Sequence, residues 1–190
     1  MEGPRLAPKP EADWDDETRA LLARNTVGEG QILNIFATIA HHPKLLKRWL
    51  VFGAHVLAKS TLPVRDRELL ILRIGWRCRS AYEWGQHVII ARRSGITDED
   101  IARVAQGPDA PGWDRFDAAL LRAVDELDDD ACISDATWES LAERYDVQQR
   151  LDVIFAVGQY RLVSMALNSL GVERDDHLGD EPGVPFPEPR

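Results

Sequence analysis

Ser80, Glu83 and His87 stand three and four residues apart in the segment SAYEWGQH, so a helix would carry all three on one face. A carboxylate one turn before a histidine orients the imidazole and favours its protonated form. Such a pair can move a proton near neutral pH. A further carboxylate, Glu68, lies in RDRELLILRIGWR, where a charge one turn into an apolar run is costly to bury unless it is paired. Glu68, Glu83 and His87 are therefore the candidate catalytic set. Ser80, Tyr82 and Trp84 are candidate substrate contacts, with Trp84 as a pocket wall beside Glu83. The same residues have bland readings: Glu83 and His87 as an exposed helix pair, Glu68 as a first-turn carboxylate near Arg65 or Arg73, and the aromatics as core.

Thiol and metal chemistry find less support. Cys78 and Cys132 form no CxxC pair and no metal-ligand spacing, and Cys78 reads as a small core residue. Glu68, Glu83 and His87 are too few for a carboxylate-bridged metal centre, so neither a metal nor a cofactor is expected. His41, His42 and His55 lack acidic neighbours in a catalytic spacing. A net charge of −9 would repel a phosphate backbone, which makes nucleic acid an unsuitable partner. The acidic, proline-containing N-terminus and the absence of long apolar stretches point to a soluble cytoplasmic protein without membrane attachment.

These residues need elements to hold them. The 190 residues, 44% hydrophobic and 29% charged, suit one globular domain. Residues 1–13 read as an extended arm, 14–174 as the domain, and 175–190, with Pro182, Pro185, Pro187 and Pro189, as an irregular tail; either end could lie across a partner subunit. In between, helix signals follow closely: after Asp15, through Ile32 to Ile39, from Pro43 to Lys59, and from Arg65 to Arg77. In the last of these, LLILRIGW could also be a buried strand. Further signals run from Ala81 to Ser94 behind a Ser80 cap, then behind Thr97, through Phe116 to Leu127, behind Ser134, and from Asp146 to Leu170. No segment alternates like a hairpin strand, so the fold class is all-α. A faint echo at an offset of 71 residues would make two related helical halves, with Glu83 opposite Ile154 and His87 opposite Gly158.

The segment from Arg65 to Ile101 resembles the carboxymuconolactone decarboxylase and alkylhydroperoxidase D superfamily, and the likeness extends from about Ile32 to Gly171. In the alkylhydroperoxidase branch the motif is Glu, eleven residues, Cys, two residues, Cys, three residues, His. Here that frame holds Glu68, Ser80, Glu83 and His87. The resemblance implies a helical bundle with Glu68 and His87 in a proton relay, and homo-oligomers with sites near subunit contacts. Ser80 and Glu83 occupy the thiol positions, and neither can form a disulfide or a sulfenic acid. The decarboxylase branch is the better fit: a cofactor-free acid/base enzyme for decarboxylation, isomerisation or lactone chemistry on a small carboxylated or lactone substrate. In that reading His87 donates a proton, Glu83 orients it and Glu68 returns it. The alternatives are a lone-Cys78 peroxidase of the alkylhydroperoxidase type, and a non-catalytic oligomeric module that binds a ligand or protein.

Overall fold

Capping side chains divide this chain into its helices. In the computed structural model, which describes residues 3–27, 30–178 and 184–188, Asp15, Thr97, Asp114 and Ser134 each accept a backbone N–H three residues on. Asp146 and Gln149 form a reciprocal box. The helices so bounded are α1 (Asp16–Ala23), α2 (Asn34–Ile39), α3 (Pro43–Ala58), α4 (Val64–Arg77), α5 (Ala81–Arg93), α6 (Asp98–Gln106), α7 (Arg115–Asp129), α8 (Asp135–Ala142) and α9 (Val147–Leu170). The all-α expectation holds. Two strands escape it, β1 (Thr26–Val27) and β2 (Gln31–Ile32), paired antiparallel with Thr26 opposite Ile32. Two residues per strand are too few to show alternation, and Ile32 belongs to β2 rather than to α2.

The ambiguous run LLILRIGW is helical. Every residue from Arg67 to Gly75 is buried, because α4 is wrapped by α5, α6, α7 and α9 and has no solvent side on which a polar stripe could form. Two arginines in this stretch need partners. Arg73 donates to both oxygens of Asp125 on α7, at 2.7 and 2.8 Å, and to the Val104 carbonyl of α6 at 2.9 Å. Arg67 turns to Glu68. Hydrophobic clusters fill both flanks: Leu70, Ile71 and Ile74 meet α7 and α9, while Leu69 and Leu72 meet Trp84, Val88 and Ile101.

A tight reversal joins α4 to α5. The Ser80 N–H donates to the Gly75 carbonyl and the Arg79 N–H to that of Trp76, both at 2.9 Å, with Arg79 at φ +52°. This is the left-handed helix stop that usually selects glycine. Ser80 holds the N-cap position of α5, but its side chain makes no capping bond, contrary to expectation. Its buried Oγ has no partner among the described residues.

The described residues of both terminal segments pack on the domain. The arm runs along the end of α9, where the Arg5 and Leu6 N–H groups donate to the Leu170 carbonyl at 2.9 and 3.1 Å. It closes in a 3-10 turn at Glu11–Asp13. Gly171, at φ +66°, leaves room for it: a Cβ there would lie 3.2 Å from the Arg5 nitrogen. In the tail, Asp175 is buried and its Oδ1 accepts the Asn34 N–H at 2.8 Å. It thus supplies from afar the cap that Leu33, at the N-cap of α2, cannot give. Phe186 and Leu178 lie against Gly85 of α5; Pro182 and Pro189 lie outside the described residues. The helices that the 71-residue offset pairs, α3, α4, α5 with α7, α8, α9, have 16, 14 and 13 residues against 15, 8 and 24, so only the first pair agrees in length.

By length and composition alone α9 could cross a membrane, with a mean hydropathy of 1.2 over an 18-residue window. Its inner face is instead packed against α3, α4, α5, α7 and α8. The outer face carries Val147, Leu151, Phe155, Leu162 and Met165, all exposed, in a row of helical period.

The two left-handed positions generate opposite expectations. Arg79→Gly should raise stability in a denaturant titration by up to about 1 kcal/mol, since the strain of a side chain at positive φ exceeds the added chain entropy of glycine. Gly171→Ala should lower it by at least about 1 kcal/mol, because strain and collision with the arm add.

Candidate active site

The α4–α5 hairpin brings Glu68 and His87 together, as the buried charge on α4 requires. Glu68 is completely buried. One of its oxygens accepts from Arg67 Nε and Nη2 at 3.2 and 3.0 Å, and the other lies 2.6 Å from His87 Nδ1. On the far side of the ring, His87 Nε2 lies 3.0 Å from Glu83 Oε1. The imidazole is thus held between two carboxylates, one per nitrogen, and in this arrangement both nitrogens donate, which is the bonding pattern of an imidazolium. The exposed i,i+4 pair is not what forms: Glu83 and His87 are 4% and 5% exposed.

Burial opposes charge on both Glu68 and His87, but the partners outweigh it. Glu68 stays below the usual carboxylate range because His87 and Arg67 face it. His87 is raised to about 10, chiefly by Glu68 and then by Glu83. Tyr160 on α9 packs edge-on against the imidazole, with ring centroids 4.8 Å apart. Burial, and then the charges of Glu83 and Glu68, push its hydroxyl well above the normal phenol range, so it remains a neutral phenol.

His87 and Glu83 open onto a cavity of about 270 Å³. α5 contributes Tyr82, Glu83, Gln86, His87 and Ile90, and α3 contributes Trp49, Leu50, Gly53, Ala54 and Leu57. Both sets follow the same spacing, so each helix offers one face. Gln159, Tyr160 and Val163 of α9 form the third wall, and Leu33, Ile35 and Phe36 at α2 help close it. Tyr82 gives the cavity its ring rather than its hydroxyl, which donates to Asp175 and accepts the Ile35 N–H at 3.4 Å. Gln86 also donates to Asp175, at 3.1 Å.

Three sequence expectations take different positions. Trp84 is not a pocket wall: one residue past Glu83 is about 100° round the helix, which carries it to the α4 and α6 side. There it is fully buried against Trp76, ring centroids 5.1 Å apart. Ser80 sits in the hairpin turn, away from the residues that line the cavity. Glu68 does not line it either and reaches it only through His87. The sequence reading missed Trp49, Gly53, Gln159 and Tyr160. Gln159 carried a usable signal, since an amide beside Ala156, Val157 and Val163 on the inner face of α9 is as out of place as Glu68 on α4. Neither cysteine lines the cavity; Cys78 is partly exposed at the end of α4 and Cys132 is exposed. Among the described residues no group of three or more His, Cys, Asp or Glu side chains could hold a metal ion, and both His87 nitrogens already face carboxylates.

Residues 43–126 match the carboxymuconolactone decarboxylase family. No curated protein matches the sequence. Among solved structures, an alkylhydroperoxidase AhpD core, an uncharacterized peroxidase-related protein from Ralstonia eutropha JMP134, superposes with a TM-score of 0.80 at 19% identity, covering 91% of this chain and 94% of that one. An uncharacterized peroxidase-related protein from Silicibacter sp. TM1040 gives 0.75 at 14% identity, with coverages of 94% and 92%. A debrominase in complex with 2,3,4-tribromopyrrole gives 0.74 at 11% identity, with coverages of 92% and 94%. At these identities the structures establish a shared fold, and the family match spans the α4–α5 hairpin that holds Glu68, Glu83 and His87. Over residues 43–126 the chain is thus similar to the carboxymuconolactone decarboxylase family, and its fold is that of the alkylhydroperoxidase AhpD-like structures.

Proposed function

We infer that the protein is a cofactor-free acid/base enzyme of the carboxymuconolactone decarboxylase type, acting on a small lactone or other carbonyl compound. One observation carries this reading: His87, held between Glu68 and Glu83, forms part of the wall of a largely apolar cavity. Glu83 is the carboxylate on the substrate side. It takes a proton from the carbon beside a carbonyl, while the His87 imidazolium, 3.0 Å away, offsets the charge that develops. Returning the proton to another substrate atom completes an isomerisation without a further reactant. Glu68 is a positioning residue: Arg67 holds it, and it keeps the imidazole charged and oriented.

Charge balance bears on the substrate. Glu68 and Glu83 contribute two negative charges, Arg67 and His87 two positive ones, and no Lys or Arg is among the described residues that line the cavity. An anionic substrate would enter without a spare cation, at a high desolvation cost. The lactone is thus favoured over the carboxylated substrate that the sequence also allowed.

Ultraviolet assays with carboxymuconolactone and its uncharged methyl esters test the reading. Wild-type turnover should be higher on the esters, and His87→Gln and Glu83→Gln should each lower kcat by about 100-fold or more; absence of wild-type turnover on both would overturn it. The charge state has its own measurement. His87 should stay protonated through neutral pH in an NMR titration and lose its proton near 10, and in Glu68→Gln this midpoint should move down, carrying the alkaline limb of kcat with it. Because the folded value is raised above the ordinary one of about 6.5, the His87 contribution to stability is complete below about 6.5 and is lost as pH rises to about 10. Thermal melts should show that decline in the wild type and less of it in His87→Gln.

A further inference from the structure

The chain has three tyrosines, and two of them commit their hydroxyls to carboxylates: Tyr82 donates to Asp175, and Tyr145 to Asp66 at 2.6 Å. The third, Tyr160, is 7% exposed, and its hydroxyl has no hydrogen-bond partner among the described residues. A buried phenol usually finds one, and phenylalanine would pack on His87 as well without leaving a polar group unmatched. Unlike Ser80 Oγ and Gln159 Oε1, this hydroxyl is not sealed in by protein atoms. It opens instead onto the cavity that Tyr160 lines beside His87. After burial, the charge of Glu83 acts on it most strongly and that of Glu68 less. Glu83 lines the cavity and Glu68 does not, so the hydroxyl lies on the cavity side of the imidazole. Glu83 faces His87 with Oε1, which leaves Oε2 without a partner among the described residues. A donor on Tyr160 and an acceptor on Glu83 therefore stand unused in one chamber, next to an imidazolium.

We propose that Tyr160 is a further catalytic residue, whose hydroxyl donates to the carbonyl oxygen of a small uncharged ketone or lactone while Glu83 Oε2 takes a proton from the carbon beside that carbonyl. The proposal rests on the acid/base reading and adds the group that receives the developing charge and the substrate class it selects. The C–H bond breaks, its electron pair passes into the carbonyl to give an enolate, and the proton rests on Glu83 until it returns to the substrate. Tyr160 keeps its own proton throughout, since a buried phenol beside carboxylates ionises with difficulty. Its ring, seated edge-on upon the imidazole, fixes the donor before the substrate arrives, and a donor placed in advance stabilises a developing oxyanion best. Being neutral, the phenol recognises a carbonyl without requiring an anion. The cavity of about 270 Å³ lies below the usual range for drug-sized ligands, which limits the occupant to one or two rings.

The test uses 2-indanone, whose carbonyl is flanked by acidic CH2 groups, with indane as the matched hydrocarbon. In deuterium oxide the wild type should exchange the methylene protons of 2-indanone faster than buffer does, as read by NMR. Tyr160→Phe keeps the ring on His87 and should lower the protein-catalysed rate about 100-fold, with the His87 titration midpoint still near 10. Calorimetry on the wild type should show 2-indanone binding about tenfold more tightly than indane, and the preference should fall to about twofold or less in Tyr160→Phe. Infrared difference spectra supply a readout that a merely structural role would not move. The bound carbonyl stretch should shift to lower frequency in the wild type and return toward the solution value in Tyr160→Phe. Equal binding of 2-indanone and indane by the wild type, or a carbonyl shift or exchange rate that persists in the variant, would overturn the proposal. The binding and infrared measurements need no turnover. A Tyr160-dependent shift without exchange would sustain the carbonyl contact and remove the acid/base reading, whereas exchange lost in Glu83→Gln but kept in Tyr160→Phe would do the reverse.

Discussion

A carboxylate buried on all sides sets the terms for this fold. Glu68 lies in a stretch of helix with no solvent face, and an isolated charge there would cost several kcal/mol, a large share of the net stability of a domain. Two cations make the position tenable. Arg67 comes from the same helix, and His87 requires α5 to turn back tightly and lie with its Glu83 face directed inward. That orientation sends Trp84 the other way, into the cluster with Leu69, Leu72 and Ile101, so one ion pair determines which side of α5 is chemistry and which is core. The packing of α9 follows, with Tyr160 seated on the imidazole.

The helices and the i,i+4 spacing of Glu83 and His87 could be read from the sequence because both are local signals. Caps such as Asp15, Asp114 and Asp146 act within three residues, and Glu83 and His87 share a face by spacing alone. What could not be read was set by partners distant in the chain. Whether Glu83 and His87 were an exposed pair or a buried one depended on α3 and α9 closing over them. Trp84 was assigned to the pocket because it adjoins Glu83 in sequence, although adjacent positions on a helix face different neighbours. The two-residue strands gave too short a pattern to detect, and the trans-acting cap from Asp175 has no local signature.

The site is also notable for how it balances charge. Two carboxylates, an imidazolium and a guanidinium sum to zero among side chains that are all buried, where electrostatic interactions are stronger than in bulk. Such a group can exchange a proton with a neutral molecule without leaving net charge stranded in the cavity. A thiol at the Glu83 position would alter that balance.

The bond from Asn34 to Asp175 closes a loop of 141 residues. Loop-closure entropy grows only with the logarithm of length, about 0.6 kcal/mol per doubling, so a span this long adds little to the equilibrium cost of forming the contact. Its effect falls on the order of events, because contacts between segments far apart in the chain form slowly. α2 has six residues, too few to persist alone in water, and its first amide waits for a side chain that arrives only after α9 is in place. The roof of the chamber is therefore among the last parts to consolidate during folding and among the first to open in a local fluctuation.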